Sequence, residues 1–161
     1  MGPLLYQLVS PTLDGMYKEM ELEAEVAGSA LVLIVPPTEN GFRFMSQCRA
    51  YPCCVTAVYS AAQALVARES GARYVAVYMN RATRLLGNGL KLVKDISEVL
   101  RQSQTEIIAA SVKSADEACA ALLAGVQHLT LPYQVLMSPC THPLSEQTIG
   151  EFESSGIGLT S

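Results

Sequence analysis

Six short, almost wholly apolar segments recur along this 161-residue chain, and each is followed by a segment with helical spacing. Continuous apolarity, rather than strict alternation, is typical of strands buried on both faces, as in parallel sheets covered by helices. The strand candidates are residues 4–9, 31–35, 53–59, 74–79, 107–112 and 129–131. The chain is therefore predicted to form a parallel sheet of β/α units in an α/β fold.

The segments between the strand candidates support this alternation. Met16, Met20, Leu22 and Val26 are spaced to form the buried stripe of a first helix. A glycine follows a helical pattern and precedes a strand at three places, where a left-handed residue would close the helix. These glycines are Gly28, Gly71 and Gly125.

Six β/α units leave two architectures open. One is an open doubly wound sheet, and the other is a (β/α)8 barrel that lacks two units, because a full barrel typically needs about 250 residues. In both, functional side chains lie at the carboxyl ends of the strands. We treat residues 1–161 as one domain, since 50% hydrophobic residues suffice for a core at this length.

Composition disfavours several classes of function. The net charge is −4 and only 16% of residues are charged, so no basic surface attracts nucleic acid or anionic lipid. The longest apolar segment, residues 27–37, is too short to span a membrane, and without a secretion signal we expect a cytoplasmic protein. The five cysteines lack the spacing of a disulfide framework or a zinc site, which predicts buried, reduced thiols and no metal or cofactor.

Polar residues at the predicted strand ends are the candidates for chemistry. They include hydroxyls, amides and two cations but no carboxylate pair or histidine, which argues against a glycosidase dyad and a Ser-His-Asp triad. Arg81, before the glycine-containing residues 85–89, is either a phosphate or carboxylate ligand or a solvated loop residue. Lys113, after Ser111, is either a solvated lysine or a buried amine that attacks a carbonyl. Tyr78 is either packing material or an active-site hydroxyl.

Both histidines are expected to be structural. His128 begins a strand, which places it at the edge of the sheet opposite the candidate site, and His142 lies in a proline-flanked loop. Cys53 and Cys54 also begin a strand, which favours packing over nucleophilic catalysis.

Four sequence motifs occur in the same order as in a known enzyme family. They are residues 56–63 (TAVYSAAQ), 71–81 (GARYVAVYMNR), 109–113 (AASVK) and 122–132 (LLAGVQHLTLP). Over about residues 7–152 the chain resembles the fructose-6-phosphate aldolase branch of the transaldolases. The resemblance implies an incomplete (β/α)8 TIM barrel of the transaldolase type, a sugar phosphate as small-molecule ligand, and assembly into a homo-oligomer.

The resemblance also implies roles for individual residues. In the family, a lysine forms a Schiff base with a ketose or dihydroxyacetone, while a tyrosine, a glutamine and a threonine hold the water that moves protons. Tyr78, Gln7 and Thr56 match those three positions. Arg81 and Ser111 match the positions that hold the sugar phosphate.

Three departures from the family pattern affect the same pocket. Residues 32–36 (VLIVP) place Ile34 where the family has its Schiff-base lysine, and isoleucine cannot form an imine. The match begins at the family's third strand, so the first two strands, with an acidic and an asparagine site residue, have no counterpart. Asp116 takes the place of a basic residue that helps to bind phosphate in the family.

Three hypotheses about function stay open at this point. The first is a catalytically impaired family member that still binds a sugar phosphate or a partner. The second is an active class I aldolase or transaldolase that uses another amine, such as Lys113. The third is a non-catalytic assembly subunit that pairs through open sheet edges.

Overall fold

The computed structural model describes residues 2–138 and 142–156 and contains one six-stranded sheet. The strands are Leu4–Gln7 (β1), Leu31–Val35 (β2), Cys53–Val58 (β3), Tyr74–Tyr78 (β4), Glu106–Ala110 (β5) and His128–Leu129 (β6). The α-helices are Leu13–Ala27 (α1), Glu39–Gln47 (α2), Ala61–Glu69 (α3), Met79–Leu86 (α4), Gly89–Leu100 (α5), Ala115–Leu123 (α6), Tyr133–Met137 (α7) and Pro143–Ser155 (α8). All six predicted strands are present, and their ends differ from the prediction by two residues or fewer. Among the described residues, no helix combines the length and apolarity that a membrane span requires.

The order of the strands decides between the two architectures. Along the sheet the strands follow chain order from β1 to β6, and every neighbouring pair is parallel. A doubly wound sheet would reverse direction at a switch point, and this sheet does not. Leu5 of β1 and Thr130, just after β6, line the same cavity, so the sheet curls until both edges border one hollow. The fold is therefore a curled half-barrel, an incomplete (β/α)8 barrel of six β/α units.

Alternating side chains of the strands build two separate cores. The larger core packs the convex face of the sheet against the helices and includes Leu33, Val55, Phe44 and Ile96. Burial of a side chain as large as Phe44 or Ile96 contributes about 2 kcal/mol. The smaller core lies on the concave face and contains strand residues alone, namely Val32, Cys54, Ala76 and Ile108. Within the described residues, the buried helix side chains thus all belong to the convex core, and none packs in the concave core.

Helix α1 buries a face that differs from the predicted one. Met16 is buried and Met20 is partly buried, as predicted, whereas Leu22 and Val26 are exposed. Residues four apart share one side of a helix, so the stripe that begins at Met16 and Met20 continues at Ala24. The prediction for Leu22 and Val26 was therefore wrong.

The three predicted loop glycines all have the positive φ that was predicted, although at Gly28 the ψ of −133° lies outside the left-handed helical region. The φ angles of Gly28, Gly71 and Gly125 are 54°, 90° and 97°, a region that favours glycine. At Gly125 a Cβ atom would in addition lie 2.2 Å from Ser97 Oγ, so the Ser97 hydroxyl would have to move.

Most described cysteines are buried, with one exception. The buried ones are Cys48, Cys53 and Cys54. Cys119 on α6 is exposed, so the prediction of buried thiols was wrong there. Ala118 and Ala121 mark the buried side of α6, and Cys119 projects from another side. Cys140 lies outside the described residues.

A charged cluster ties β5 to its neighbours at their amino ends. The Glu106 carboxylate accepts a hydrogen bond from Arg73 Nη2 at 2.7 Å, and its other oxygen lies 2.6 Å from His128 Nε2. The hydrogen bond with His128 and, secondarily, the one with Arg73 hold the pKa of Glu106 below its ordinary value. His128 therefore lies opposite the carboxyl ends of the strands, as predicted. His142 caps α8, where its Nδ1 accepts the Leu144 N–H at 3.2 Å.

Candidate functional site

The concave face holds a cavity of about 330 Å³ near the carboxyl ends of the strands. Apolar side chains form most of its wall, and the polar residues among them are Gln7, Thr56, Tyr78 and Thr130. Its lining comprises Leu5, Gln7, Ile34, Cys54, Thr56, Ala76, Tyr78, Ile108, Ala110 and Thr130. We name this space the concave cavity. It brings together Gln7, Thr56, Tyr78 and Ile34, four of the residues singled out by the sequence.

Strands β3 and β4 place a pair of hydroxyl groups in the concave cavity. Thr56 Oγ1 lies 3.1 Å from Tyr78 Oη, and either oxygen can donate the proton. The Thr56 side chain is almost fully buried, so its hydroxyl needs a partner within the protein. Tyr78 therefore has two roles: its ring packs against Tyr59, and its hydroxyl is part of the polar lining of the cavity.

Two strained residues flank this polar lining. Ala57 in β3 has φ 52°, and the pairing of β3 with β4 shifts register between Val55 and Val58. Ser111, directly after β5, has φ 61°. A left-handed conformation costs a residue with a side chain about 1 kcal/mol, and such strain tends to collect at functional sites. The sequence carries no glycine or asparagine at either position that would have indicated these bends.

Ile34 occupies the wall of the cavity between Gln7 and Cys54. The register pairs Ile34 with Gln7 on one side and with Cys54 on the other. Gln7 Nε2 donates to the carbonyls of Leu8 at 2.9 Å and Ile34 at 3.3 Å. Burial raises the pKa of the Cys54 thiol to about 12, so the thiol is neutral at physiological pH. Ile34 is therefore part of an uncharged wall of the cavity.

Arg81 lies at the rim of the cavity beside Tyr78. It belongs to the first turn of α4, and its guanidinium carbon is 4.8 Å from the centre of the Tyr78 ring. The predicted contribution of glycine-loop amides to an anion site receives less support, because Thr83 Oγ1 already accepts the Gly89 N–H at 3.1 Å. Ser111 follows the cavity residue Ala110, so a cation and a hydroxyl lie beyond the strand ends.

Lys113 lies outside the cavity lining and is exposed to solvent. Its backbone N–H donates to Glu117 Oε2 at 2.8 Å, while Asn80 Nδ2 donates to Glu117 Oε1 at 2.7 Å. The Glu117 carboxylate thus joins the start of α6 to the start of α4, and the neighbouring Asp116 is exposed. Sequence analysis missed Glu117, although its spacing from Ser114, whose Oγ accepts the Glu117 N–H, is that of a capping box.

Two other cavities of similar volume do not bring together several of the residues that the sequence singled out. One of about 340 Å³ lies at the amino end of β5, beside Glu106 and Gly125. Another of about 380 Å³ lies between the loops after β1 and β2, beside Ser10 and Asn40. Within residues 2–138 and 142–156, no group of three or more His, Cys, Asp or Glu side chains is placed to hold a metal ion. The concave cavity is therefore the candidate site.

Comparison with known proteins shows the family of the chain. Residues 7–157 match the family model described as transaldolase/fructose-6-phosphate aldolase. The chain belongs to the transaldolase/fructose-6-phosphate aldolase family. A protein of Hydrogenobaculum sp., described as a probable transaldolase, is 34% identical over 155 residues, which cover 94% of this chain and 71% of the relative. A probable transaldolase of Pelotomaculum thermopropionicum is 35% identical over 156 residues, which cover 94% of this chain and 72% of the relative.

A solved structure supports the fold independently. Mandelate oxidase superposes with a TM-score of 0.61 at 17% identity, over 81% of this chain and 49% of the oxidase chain. At this identity the likeness concerns the fold alone. The match to the family model confirms the family that was predicted from the four motifs. The individual roles of Gln7, Thr56, Tyr78, Arg81 and Ser111 stay predictions.

The hydroxyl pair yields a prediction about stability. We expect Thr56→Val and Tyr78→Phe each to lower the free energy of unfolding by about 1 kcal/mol, because each leaves the other hydroxyl without its partner. The double variant should lose less than the sum of the two, with a coupling of about 1 kcal/mol. Urea unfolding of the four proteins measures this coupling.

Tyr74→Phe serves as the matched control for that cycle. Tyr74 belongs to the same strand and packs against the concave core, and its hydroxyl has no hydrogen bond to the described part of the chain. Its coupling to Thr56→Val should be near zero. A Thr56–Tyr78 coupling no larger than this control would show that the hydroxyl pair does not form in solution.

Proposed function

We propose that this chain is a sugar-phosphate-binding member of the transaldolase/fructose-6-phosphate aldolase family that does not carry out Schiff-base aldol chemistry. One observation carries the proposal: Ile34 forms the wall of the concave cavity, while Gln7, Thr56 and Tyr78 still line it. Family membership points to sugar-phosphate metabolism. The catalytic impairment, the ligand and a cytoplasmic location are our proposals.

The position of the lysines supports the absence of an imine. Covalent catalysis in this family depends on an amine that attacks the substrate carbonyl, and isoleucine has no group that can replace it. All lysines of the chain are exposed, and none lines the concave cavity. They are Lys18, Lys91, Lys94 and Lys113. An active aldolase that uses Lys113 would require this side chain to enter a cavity that it does not line.

The rim of the cavity supports binding of a phosphate group. The Arg81 guanidinium lies over the Tyr78 ring and stays open to solvent, so it can form two parallel hydrogen bonds with a phosphate. Ser111 adds a hydroxyl just beyond Ala110 of the cavity wall. The neighbouring carboxylates Asp116 and Glu117 act in the opposite direction, because they repel an anion. We therefore propose weak phosphate binding centred on Arg81.

Ile34→Lys tests whether the cavity lacks only its amine. The new amine would face the carbon-rich cavity wall, where desolvation lowers its pKa and makes it nucleophilic, and Thr56 and Tyr78 would lie nearby to move protons. We expect cleavage of fructose 6-phosphate at a rate at least roughly tenfold above that of the unmodified chain. A coupled assay for the released glyceraldehyde 3-phosphate measures this rate.

Ile34→Met is the control, because it adds length at the same position without an amine. Circular dichroism spectra establish that both variants fold. Equal rates for the two folded variants would contradict the proposal that the remaining lining is arranged for this chemistry. Cleavage by the unmodified chain at the rate of Ile34→Lys would contradict the proposed impairment itself.

We also propose that the chain forms a homo-oligomer, because apolar side chains are exposed on the edge strand β1. Leu4 and Leu5 on the edge strand β1 are 49% and 41% exposed, and β1 has a neighbour on only one side of the described sheet. An open edge of this kind pairs readily with another chain. This arrangement also fits the alternative function of an assembly subunit.

Native mass spectrometry tests the assembly. We expect masses that are multiples of 17.3 kDa, and Leu4→Lys should shift the distribution towards the monomer because it places a charge on the edge strand. Leu123→Lys, on the strongly exposed face of α6, is the matched control and should leave the distribution unchanged. A stable monomer of the unmodified chain would contradict the proposal.

A further inference from the structure

The concave cavity offers a ligand few unused hydrogen-bonding groups. Both Nε2 protons of Gln7 are directed to backbone carbonyls, those of Leu8 and Ile34, which leaves its Oε1 atom as an acceptor. Thr56 and Tyr78 share one proton between them, so the pair has a single O–H left to donate. A ligand hydroxyl can form a hydrogen bond with these groups, and with few other groups of the lining.

Apart from the Thr130 hydroxyl just after β6, the remaining wall presents apolar side chains and a neutral thiol. Leu5, Ile34, Ala76, Ile108 and Ala110 contribute apolar side chains to the cavity. Cys54, the register neighbour of Ile34, contributes a buried thiol. A ligand hydroxyl turned towards this wall would lose its bonds to water and gain none from the protein, which is unfavourable for binding.

Ile34 extends this apolar wall along β2 as far as Gln7. It lies between Gln7 and Cys54 in the register and packs with the concave core of Val32, Ala76 and Ile108. A charged or hydroxylated side chain at the same position would interrupt the wall with a polar group. The isoleucine therefore changes which ligands fit, in addition to removing an amine.

We propose that, among phosphate esters of the same short carbon length, the concave cavity prefers those that bear few hydroxyl groups over those that bear more. The inference rests on the proposed function, because it assumes that the phosphate group binds at the rim near Arg81 and that the carbon chain enters the cavity. The volume of about 330 Å³ is at the lower end of that of small-molecule sites, which suits a chain of three or four carbons.

The preference is tested with two ligands that have the same three carbons and the same phosphate. Propyl phosphate has no hydroxyl group, whereas glycerol 3-phosphate has two. We expect propyl phosphate to bind roughly tenfold to a hundredfold more tightly, the range over which an apolar pocket discriminates against a small change of this kind. Isothermal titration calorimetry measures both affinities, and inorganic phosphate provides the baseline for charge alone.

Two variants assign the preference to Ile34. Ile34→Thr adds a hydroxyl to a branched side chain at the same position and should reduce the affinity ratio to near one. Ile34→Val keeps the wall apolar and should keep the ratio, which separates the added polar group from the loss of volume. A ratio in Ile34→Thr equal to that of the unmodified chain would overturn the role of Ile34.

The outcomes separate this inference from the proposed function. If glycerol 3-phosphate binds as tightly as propyl phosphate or more tightly, and both bind better than inorganic phosphate, the inferred preference is wrong and the proposed function stands. If neither ester binds better than inorganic phosphate, both are overturned. Tighter binding of propyl phosphate, together with the loss of this preference in Ile34→Thr, supports the inference.

Discussion

The structure depends on the alternation of side chains between the two faces of one parallel sheet, which only the bend at Ala57 in β3 interrupts among the described strands. Because consecutive residues of a strand point to opposite faces, Leu33 and Val35 pack against the helices while Val32 and Ile34 face the concave side. The strand order repeats this geometry from β1 to β6 without a reversal. A shift of one residue in β2 would place Ile34 against the helices, so the register decides what the cavity contains.

Sequence alone predicted the elements with continuous apolarity and the residues fixed by strand ends. All six strands, the positive φ angles of the loop glycines, and the position of His128 opposite the site follow from such local patterns. The exposure of Leu22 and Val26 was missed because helical spacing allows several stripes, and packing partners select one. The positive φ angles of Ala57 and Ser111 were missed because neither position carries a glycine or an asparagine that would indicate them.

The consequence of an isoleucine at position 34 depends on the polar residues that line the cavity beside it, as well as on its own lack of an amine. The family resemblance predicts a Schiff-base lysine at the position of Ile34, and the Thr56–Tyr78 hydroxyl pair and Gln7 still line the cavity around it. The cavity therefore keeps polar groups that can orient a ligand, and it lacks the amine that would bond to one. These two facts support our proposal of binding without covalent catalysis, in a chain that matches the family model over residues 7–157.

The most direct measurement is reductive trapping of the unmodified protein with borohydride in the presence of dihydroxyacetone. Intact-mass spectrometry detects an imine as a permanent increase in mass, and peptide analysis locates it. Our account predicts an unchanged mass, because no lysine lines the concave cavity. A stoichiometric adduct on Lys113, or on any other lysine, would contradict the account, since it would identify an amine able to replace the one that Ile34 lacks.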